Sequence, residues 1–233
     1  RQEGTLITEN TAYTNDRFNA YLQGDYSPLD FLKLIGGIQA NKQETLEYNF
    51  SPRGGAIVSF TPNTGIKLLY GQAYRSATGA EMLPTAVSAA SPNLRPEIKA
   101  TFDAQLFYNT PKYYTALTYY RTHLTDAIVT VPDPLGVKSV NAGWIDYQGI
   151  ELEGKAAITP HIDLTGSVSR QFNKDQAGDT EIGRVPELMV KTGAAYNWDK
   201  GYSLGLFNSH YSDSGRIAGT RPINPPADGY DML

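Results

Sequence analysis

The sequence predicts an all-β protein: an antiparallel up-and-down meander of about ten strands and the stub of another, forming part of a transmembrane β-barrel wall. Three observations carry this prediction. The chain has Tyr 16, Phe 8, Gly 22 and Pro 14 among its 233 residues, and its strand-forming residues come in short blocks separated by turn formers. Apolar and polar side chains alternate along those blocks, as on a strand with two unlike faces. The connections between blocks alternate between short and long.

The expected strands cover 15–26, 31–42, 48–61, 66–76, 97–109, 113–130, 139–158, 162–172, 187–197 and 202–212, with an eleventh starting near Tyr230. Tight connections at 27–30, 62–65, 110–112, 159–161 and 198–201 hold the Pro, Asn, Asp and Gly that short hairpin loops require. Longer ones occupy 77–96, 132–138, 173–186 and 213–228. Short turns on one rim and long loops on the other are what an outer-membrane barrel shows, the short turns being periplasmic.

Two strands define the faces most clearly. Ile150, Leu152, Gly154, Ala156 and Ile158 share one side, while Gly149, Glu151, Glu153 and Lys155 share the other. Two carboxylates and an ammonium cannot face hydrocarbon, so Glu151, Glu153 and Lys155 read as lumen-facing and Ile150 as lipid-facing. Ile98, Ala100, Phe102, Ala104, Leu106 and Tyr108 likewise oppose Lys99, Thr101, Asp103, Gln105 and Asn109. Aromatic residues collect at the tight turns (Tyr26, Phe31, Phe60, Tyr113, Tyr114, Trp198 and Tyr202), in the manner of an interfacial girdle.

Composition narrows the function. Twenty basic and 24 acidic residues give a net charge of −4, which does not suit a nucleic-acid partner. The absence of Cys excludes disulfides and thiolate metal sites. No run of about 18 apolar residues is present for a transmembrane helix, but barrel strands need only about 9–11 tilted residues. The chain opens at Arg1 without a charged-then-apolar leader, which reads as a piece of a longer protein. His123, His161 and His210 fall in separate hairpins with no metal-ligand spacing. No catalytic constellation, metal site or cofactor is expected; the Glu151 and Glu153 pair is read as lining the lumen rather than as an acid and base.

Several motifs resemble one family. Ser91-Pro92-Asn93-Leu94-Arg95-Pro96-Glu97 is similar to the Asn-Pro-x-Leu-Lys-Pro-Glu motif of TonB-dependent receptors, with Ser for Asn and Arg for Lys. Gly149-Ile150-Glu151-Leu152-Glu153 resembles the Gly-hydrophobic-Glu-hydrophobic-Glu strand that follows it there. Ser51-Pro52-Arg53, the strand from Leu68 to Arg75, Leu117-Thr118-Tyr119-Tyr120-Arg121, Val140-Asn141-Ala142-Gly143 and Arg184-Val185-Pro186 fall in the family's order. Tyr74-Arg75-Ser76-Ala77 departs from the usual Phe-Arg-Ala-Pro by lacking the Pro.

The resemblance implies that residues 1–233 are part of a barrel of about 22 strands, covering the eleventh to the twentieth and part of the next, with the plug domain and last strands outside. It implies an outer-membrane receptor of Gram-negative bacteria, not an enzyme. Such a receptor imports a ferric siderophore or similar metal chelate, driven by the TonB-ExbB-ExbD complex through the plug and embedded in outer-membrane lipid. Haem, cobalamin or glycan receptors share these motifs, and a passive porin or adhesin barrel would share the alternation, the aromatic girdle and the loop asymmetry but would have no reason for the Pro-Glu and Gly-Ile-Glu-Leu-Glu motifs. By the same resemblance, ligand contacts are expected from Arg75, Tyr119, Arg121, His123, Arg216 and Arg221, with Arg75 and Arg121 looking into the lumen near the outer rim. Guanidinium forks and aromatic faces suit an anionic chelate.

Overall fold

The computed structural model describes residues 2–5, 12–43, 48–85, 87–176, 178, 185–214 and 228–233, of which 2–5, 12–15 and 43 are described by backbone alone. The elements are β1 (Gln2–Thr5), β2 (Ala12–Asn15), β3 (Arg17–Leu29), β4 (Leu32–Gln43), β5 (Asn49–Thr61), β6 (Thr64–Arg75), α1 (Gly79–Met82), β7 (Ser88–Ala89), β8 (Glu97–Asn109), β9 (Tyr113–Thr125), β10 (Ile128–Asp133), β11 (Gly136–Asn141), β12 (Trp144–Thr159), β13 (Ile162–Asp175), β14 (Leu188–Asn197), β15 (Ser203–Tyr211) and β16 (Tyr230–Met232). One 11-stranded sheet runs in the order β3-β4-β5-β6-β8-β9-β12-β13-β14-β15-β16, and its pairings are all antiparallel. β3 and β16 are its edges, so the sheet is unclosed. This is the expected meander of ten long strands and a stub.

The strands turn sharply at one rim because of a repeated local device. Thr61-Pro62, Thr110-Pro111 and Thr159-Pro160 each open a short turn. The Thr hydroxyl oxygen accepts N–H groups of the following residues: Asn63 and Thr64 in the first, Tyr113 in the second, His161 and Ile162 in the third. Proline presets φ for the turn while the hydroxyl satisfies donors the ladder leaves open. Register shifts between Ser59 and Thr61 and between Ala157 and Thr159 lie beside two of these turns, and one between Tyr26 and Leu29 beside the short turn at 30–31. Such bulges bend strands at barrel rims. Because every main-sheet pairing is antiparallel, 62–65 and 77–96 lie at opposite ends of β6.

Two expected strands end early. The 113–130 segment divides into β9 and β10, and 139–158 into β11 and β12. The cause is backbone geometry. Asp126 has φ 55 and Gly143 φ 53, a left-handed kink that Asp tolerates better than most residues. The ladder resumes beyond it, with Asp126 N–H on the Gly143 carbonyl at 2.9 Å and Ala142 N–H on the Ala127 carbonyl at 2.7 Å. A Cβ at Gly143 would also strike the Gln176 side chain. β10 and β11 thus form a separate hairpin beyond the wall.

The 77–96 connection is also built. It holds α1 and β7, and β7 pairs in parallel with β11 (Val137 with Ser88, Lys138 with Ala89), giving a second, three-stranded sheet. The chain before residue 16 pairs β1 with β2, which alternation alone does not predict. The small buried apolar set of the described residues is Ala77, Leu94 and Ala127 in the outer connections and Ala116 in β9. The wall itself is one layer and buries little.

Candidate functional site

Cross-strand register fixes which side chains share a face. Ile150 pairs with Tyr119 and Arg170, and Leu152 with Leu117 and Val168; on neighbouring strands the same face carries Leu106, Leu68, Ala56 and Leu34. The opposite face carries Glu151 with Thr118 and Ser169, Glu153 with Ala116 and Ser167, and Lys155 with Tyr114 and Thr165. Ile150 is 55% exposed, whereas Ala116, Thr122 and Gly149 on the other side are buried. On a bowed sheet the shielded side is concave, so Glu151, Glu153 and Lys155 lie on the lumen side and Ile150 on the outer side.

The lumen face satisfies itself sideways. Lys67 Nζ donates to Gln105 Oε1 at 3.0 Å, and Gln105 Nε2 to Thr118 Oγ1 at 3.0 Å. Thr101 and Thr122 hydroxyls lie 2.9 Å apart, and Tyr114 donates its hydroxyl to Glu153 at 2.8 Å. Tyr114 therefore belongs to the lumen, not to the outer aromatic girdle, where Tyr26, Phe31, Phe60, Tyr113, Trp198 and Tyr202 are exposed. Gly149 opens a track for Tyr120. A Cβ there would sit 2.6 Å from the Tyr120 hydroxyl oxygen, which reaches over it to Gln171 at 3.3 Å. This close approach explains the glycine that begins the Gly-Ile-Glu-Leu-Glu run.

At the outer rim the proline-rich motif acts as a joint. Arg75 Nε meets Glu97 at 2.6 Å, and its terminal nitrogens meet Glu81 at 3.0 and 3.1 Å. Glu81 also accepts the Thr78 N–H at 2.7 Å and the Thr78 hydroxyl at 3.0 Å. Burial alone would raise the Glu81 carboxyl. Arg75 and the two Thr78 donors outweigh it and hold the group below its ordinary range. Glu97 takes the Ile128 N–H at 2.7 Å, Arg95 pairs with Asp126, and Asn141 bonds the Arg95 backbone. The two outer connections are thereby tied together.

The expected ligand residues divide three ways. Arg75 lies on the lumen side at the rim, across from Glu97 and gripped by two carboxylates. Tyr119, Arg121 and His123 share the Ile150 face, since Tyr119 pairs with Ile150, Arg121 with Gln148 and His123 with Asp146. Arg121 therefore looks outward, which corrects the expected lumen orientation. Asp146 holds both neighbours, His123 at 2.5 Å and Arg121 at 3.1 Å. Arg216 and Arg221 lie outside the described residues. Sequence reasoning passed over Arg95, Asp126 and Asn141 as interacting groups; the signal was a motif with fixed Pro and charged positions outside any strand.

Comparison with known proteins agrees with this architecture. The family model for the TonB-dependent receptor-like β-barrel matches residues 3–233. No curated protein matches the chain. Among solved structures, the copper transporter OprC is similar at 16% identity and TM-score 0.76, over 94% of this chain and 38% of that one. The FrpB iron transporter of Neisseria meningitidis (F5-1 variant, apoprotein form) gives 18% identity and TM-score 0.73, over 97% and 38%. A G324V mutant of the ferric enterobactin receptor PfeA of Pseudomonas aeruginosa gives 13% and 0.79, over 99% and 39%. The chain thus spans under two-fifths of the length of these structures. With a polar lumen wall, an apolar outer face and a built outer rim all contained in the matched residues, the chain belongs to the TonB-dependent receptor-like β-barrel family of the outer membrane.

Proposed function

We propose that the chain forms wall and outer rim of a receptor that binds a ferric siderophore and imports it, with energy delivered by the TonB-ExbB-ExbD complex through a plug domain. The receptor moves its cargo without making or breaking covalent bonds. The observation that supports this most is the separation of faces. A hydrogen-bonded polar lumen wall runs up to a rim built from two cross-tied loops, giving a wide hydrated passage with an organised mouth. A passive channel would share the two faces but gives no reason for the Pro-Glu and Gly-Ile-Glu-Leu-Glu motifs. Arg216 and Arg221, in the long sequence segment after β15, supply the cationic groups that meet an anionic chelate, while Arg75, already held by Glu81 and Glu97, shapes the mouth. Residues 1–233 are read as barrel throughout, within one domain.

Uptake of ferric catecholates and ferric hydroxamates by iron-starved cells carrying the full-length parent tests the reading, with and without an intact TonB system. TonB-dependent uptake of at least one chelate, weakened when Arg216 and Arg221 are both changed to Ala, is expected. Uptake of none of them, or uptake indifferent to TonB, counts against it.

A further inference from the structure

Ser51 and Arg53 stand on the lumen face of β5, since Arg53 pairs with Gly71, and Ile57, on the same side, pairs with Lys67 of the lumen wall. Toward the end of β3, β4 and β5 opposite the short turns, that face carries three cross-strand rows: Asn19 and Asn41 with Asn49, Tyr21 and Gln39 with Ser51, and Gln23 and Gly37 with Arg53. Five carboxamides lie in these rows with one cation, Arg53, and no carboxylate. Asp25, one row lower, is already held by Lys33 at 2.9 Å.

Arg53 is laid across the wall rather than along it. Both residues opposite it are glycines, Gly37 and Gly71, and a Cβ at Gly37 would sit 3.2 Å from the Arg53 Cγ. The side chain crosses that gap and sets its guanidinium over the Tyr21 ring at 4.9 Å, while Tyr21 donates its hydroxyl to Gln23. Arg53 makes no ion pair among the described residues, and a ring face leaves the guanidinium N–H groups unused. Two further groups nearby are unused. Asn41 and Ser51 are 2% and 4% exposed, and Asn41 Nδ2 and Ser51 Oγ have no hydrogen-bond partner among the described residues. Gln39 Nε2 donates to Asn41 Oδ1 at 2.9 Å, so the unused end of that amide is its donor. Buried polar atoms are ordinarily paired. These two, beside a guanidinium without a carboxylate, lack an acceptor.

Ser51 and Arg53 are two residues apart on one face, about 7 Å, and a planar guanidinium meets a carboxylate with two parallel hydrogen bonds. Charge narrows the cargo further. A ferric tris-catecholate is a trianion, whereas a ferric tris-hydroxamate is neutral at its core; a single cation among neutral amides suits the second with a carboxylate added. The carboxamides, each with a donor and an acceptor, match the amide linkages of a hydroxamate chain. We infer that Arg53, with Tyr21, Asn41 and Ser51, is a lumen-wall subsite for a free carboxylate, and that the cargo is a ferric hydroxamate chelate bearing one. The inference rests on the receptor reading above and adds to it the class of chelate.

Binding to the detergent-purified full-length parent, followed by quenching of intrinsic fluorescence, tests it with a matched pair of probes. Ferric N-succinyl-desferrioxamine B ends in a carboxylate and ferric N-acetyl-desferrioxamine B in a neutral amide; ferric enterobactin supplies the catecholate arm. The wild type is expected to bind the succinyl probe at least about tenfold tighter than either of the others, the scale of one charge-assisted hydrogen bond. R53Q should bring the succinyl probe down to the acetyl one and leave the acetyl one unchanged, and S51A should weaken the succinyl probe alone. K155Q, on the lumen face nearer the short turns, should bind as the wild type does, and heat-modified gel mobility establishes that each variant is folded. Equal binding of the two hydroxamates by the wild type, a preference for the catecholate, a succinyl preference that survives R53Q or S51A in full, an equal loss in K155Q, or binding of none of the three overturns the assignment. TonB-dependent uptake of a chelate without a carboxylate, unchanged by R53Q, would remove this subsite and leave the receptor reading standing, whereas uptake indifferent to TonB removes that reading.

Discussion

Asn141 uses its side chain as a strand uses its backbone toward Arg95: its Oδ1 accepts the Arg95 N–H at 2.8 Å, and its Nδ2 donates to the Arg95 carbonyl at 2.9 Å. The same Nδ2 donates to the Asp126 carbonyl at 2.7 Å. One amide thus closes the proline-rich segment onto the kink between β9 and β10. Asn141→Ala leaves three backbone groups without it and is expected to cost about 1–3 kcal/mol locally. Hydrogen exchange in the full-length parent should show faster exchange at Arg95 and the nearby 126–128 amides, with the β12–β13 ladder unchanged. Unaltered exchange at Arg95 would remove Asn141 from the joint.

Leu152 and Glu153 stand on opposite faces of β12 and should respond very differently. Leu152→Arg places a cation in the apolar row with Leu117 and Val168 and is expected to destabilise the barrel by about 2–4 kcal/mol, whereas Ile150, beside Arg170 in the next row up, should tolerate Arg at about 0–1 kcal/mol. Glu153→Gln keeps an oxygen for the Tyr114 hydroxyl and should be nearly silent. Denaturant titration of the full-length parent in lipid vesicles compares Leu152→Arg with Glu153→Gln; equal costs contradict the assignment of faces.

Ser91 stands where the family motif has Asn, and its buried hydroxyl has no hydrogen-bond partner among the described residues. Ser91→Ala removes an unsatisfied polar atom, so thermal stability should be unchanged or slightly raised. A drop of about 1 kcal/mol or more would mean that the hydroxyl is bonded after all.

Acid should loosen the rim through Glu81. Its folded-state value lies below the ordinary 4.5, so its contribution is complete above that pH and is lost as the pH falls through the lowered value. Spin labels introduced as Val87→Cys and Val129→Cys, one on each tied connection, should give a narrow distance distribution at neutral pH that broadens below about 4.5. With Glu81→Gln the distribution should already be broad at neutral pH. A width that ignores both pH and the substitution would place the restraint elsewhere.

Strand existence and loop sorting were legible because alternation is a local property, visible in Gly149 to Glu153 without knowledge of any neighbour. The division of β9 from β10 was not. Ile128 to Val131 continues the β-forming composition, and nothing in the one-letter pattern announces that Asp126 takes a left-handed conformation. The facing of Arg121 was missed for another reason. β9 alternates Leu117 and Tyr119 with Thr118 and Tyr120, so both faces carry aromatics and parity alone is ambiguous; pairing with Ile150 and Leu152 decides it, and that is a long-range fact. The rim joint was hidden in the same way, since its partners are separated by 46 residues between Arg95 and Asn141.

The parallel pairing of β7 with β11 is made through main-chain groups, and the side chains it leaves outermost, Val87 at 67% and Leu135 at 71% exposure, contribute little to it. The exposed side chains of this crown can therefore change their chemistry with little effect on the pairing that holds it. Length is the constrained quantity: an insertion between Thr85 and Ser88 would slide one connection past the other. Natural variants at this crown should accumulate as substitutions rather than as insertions or deletions.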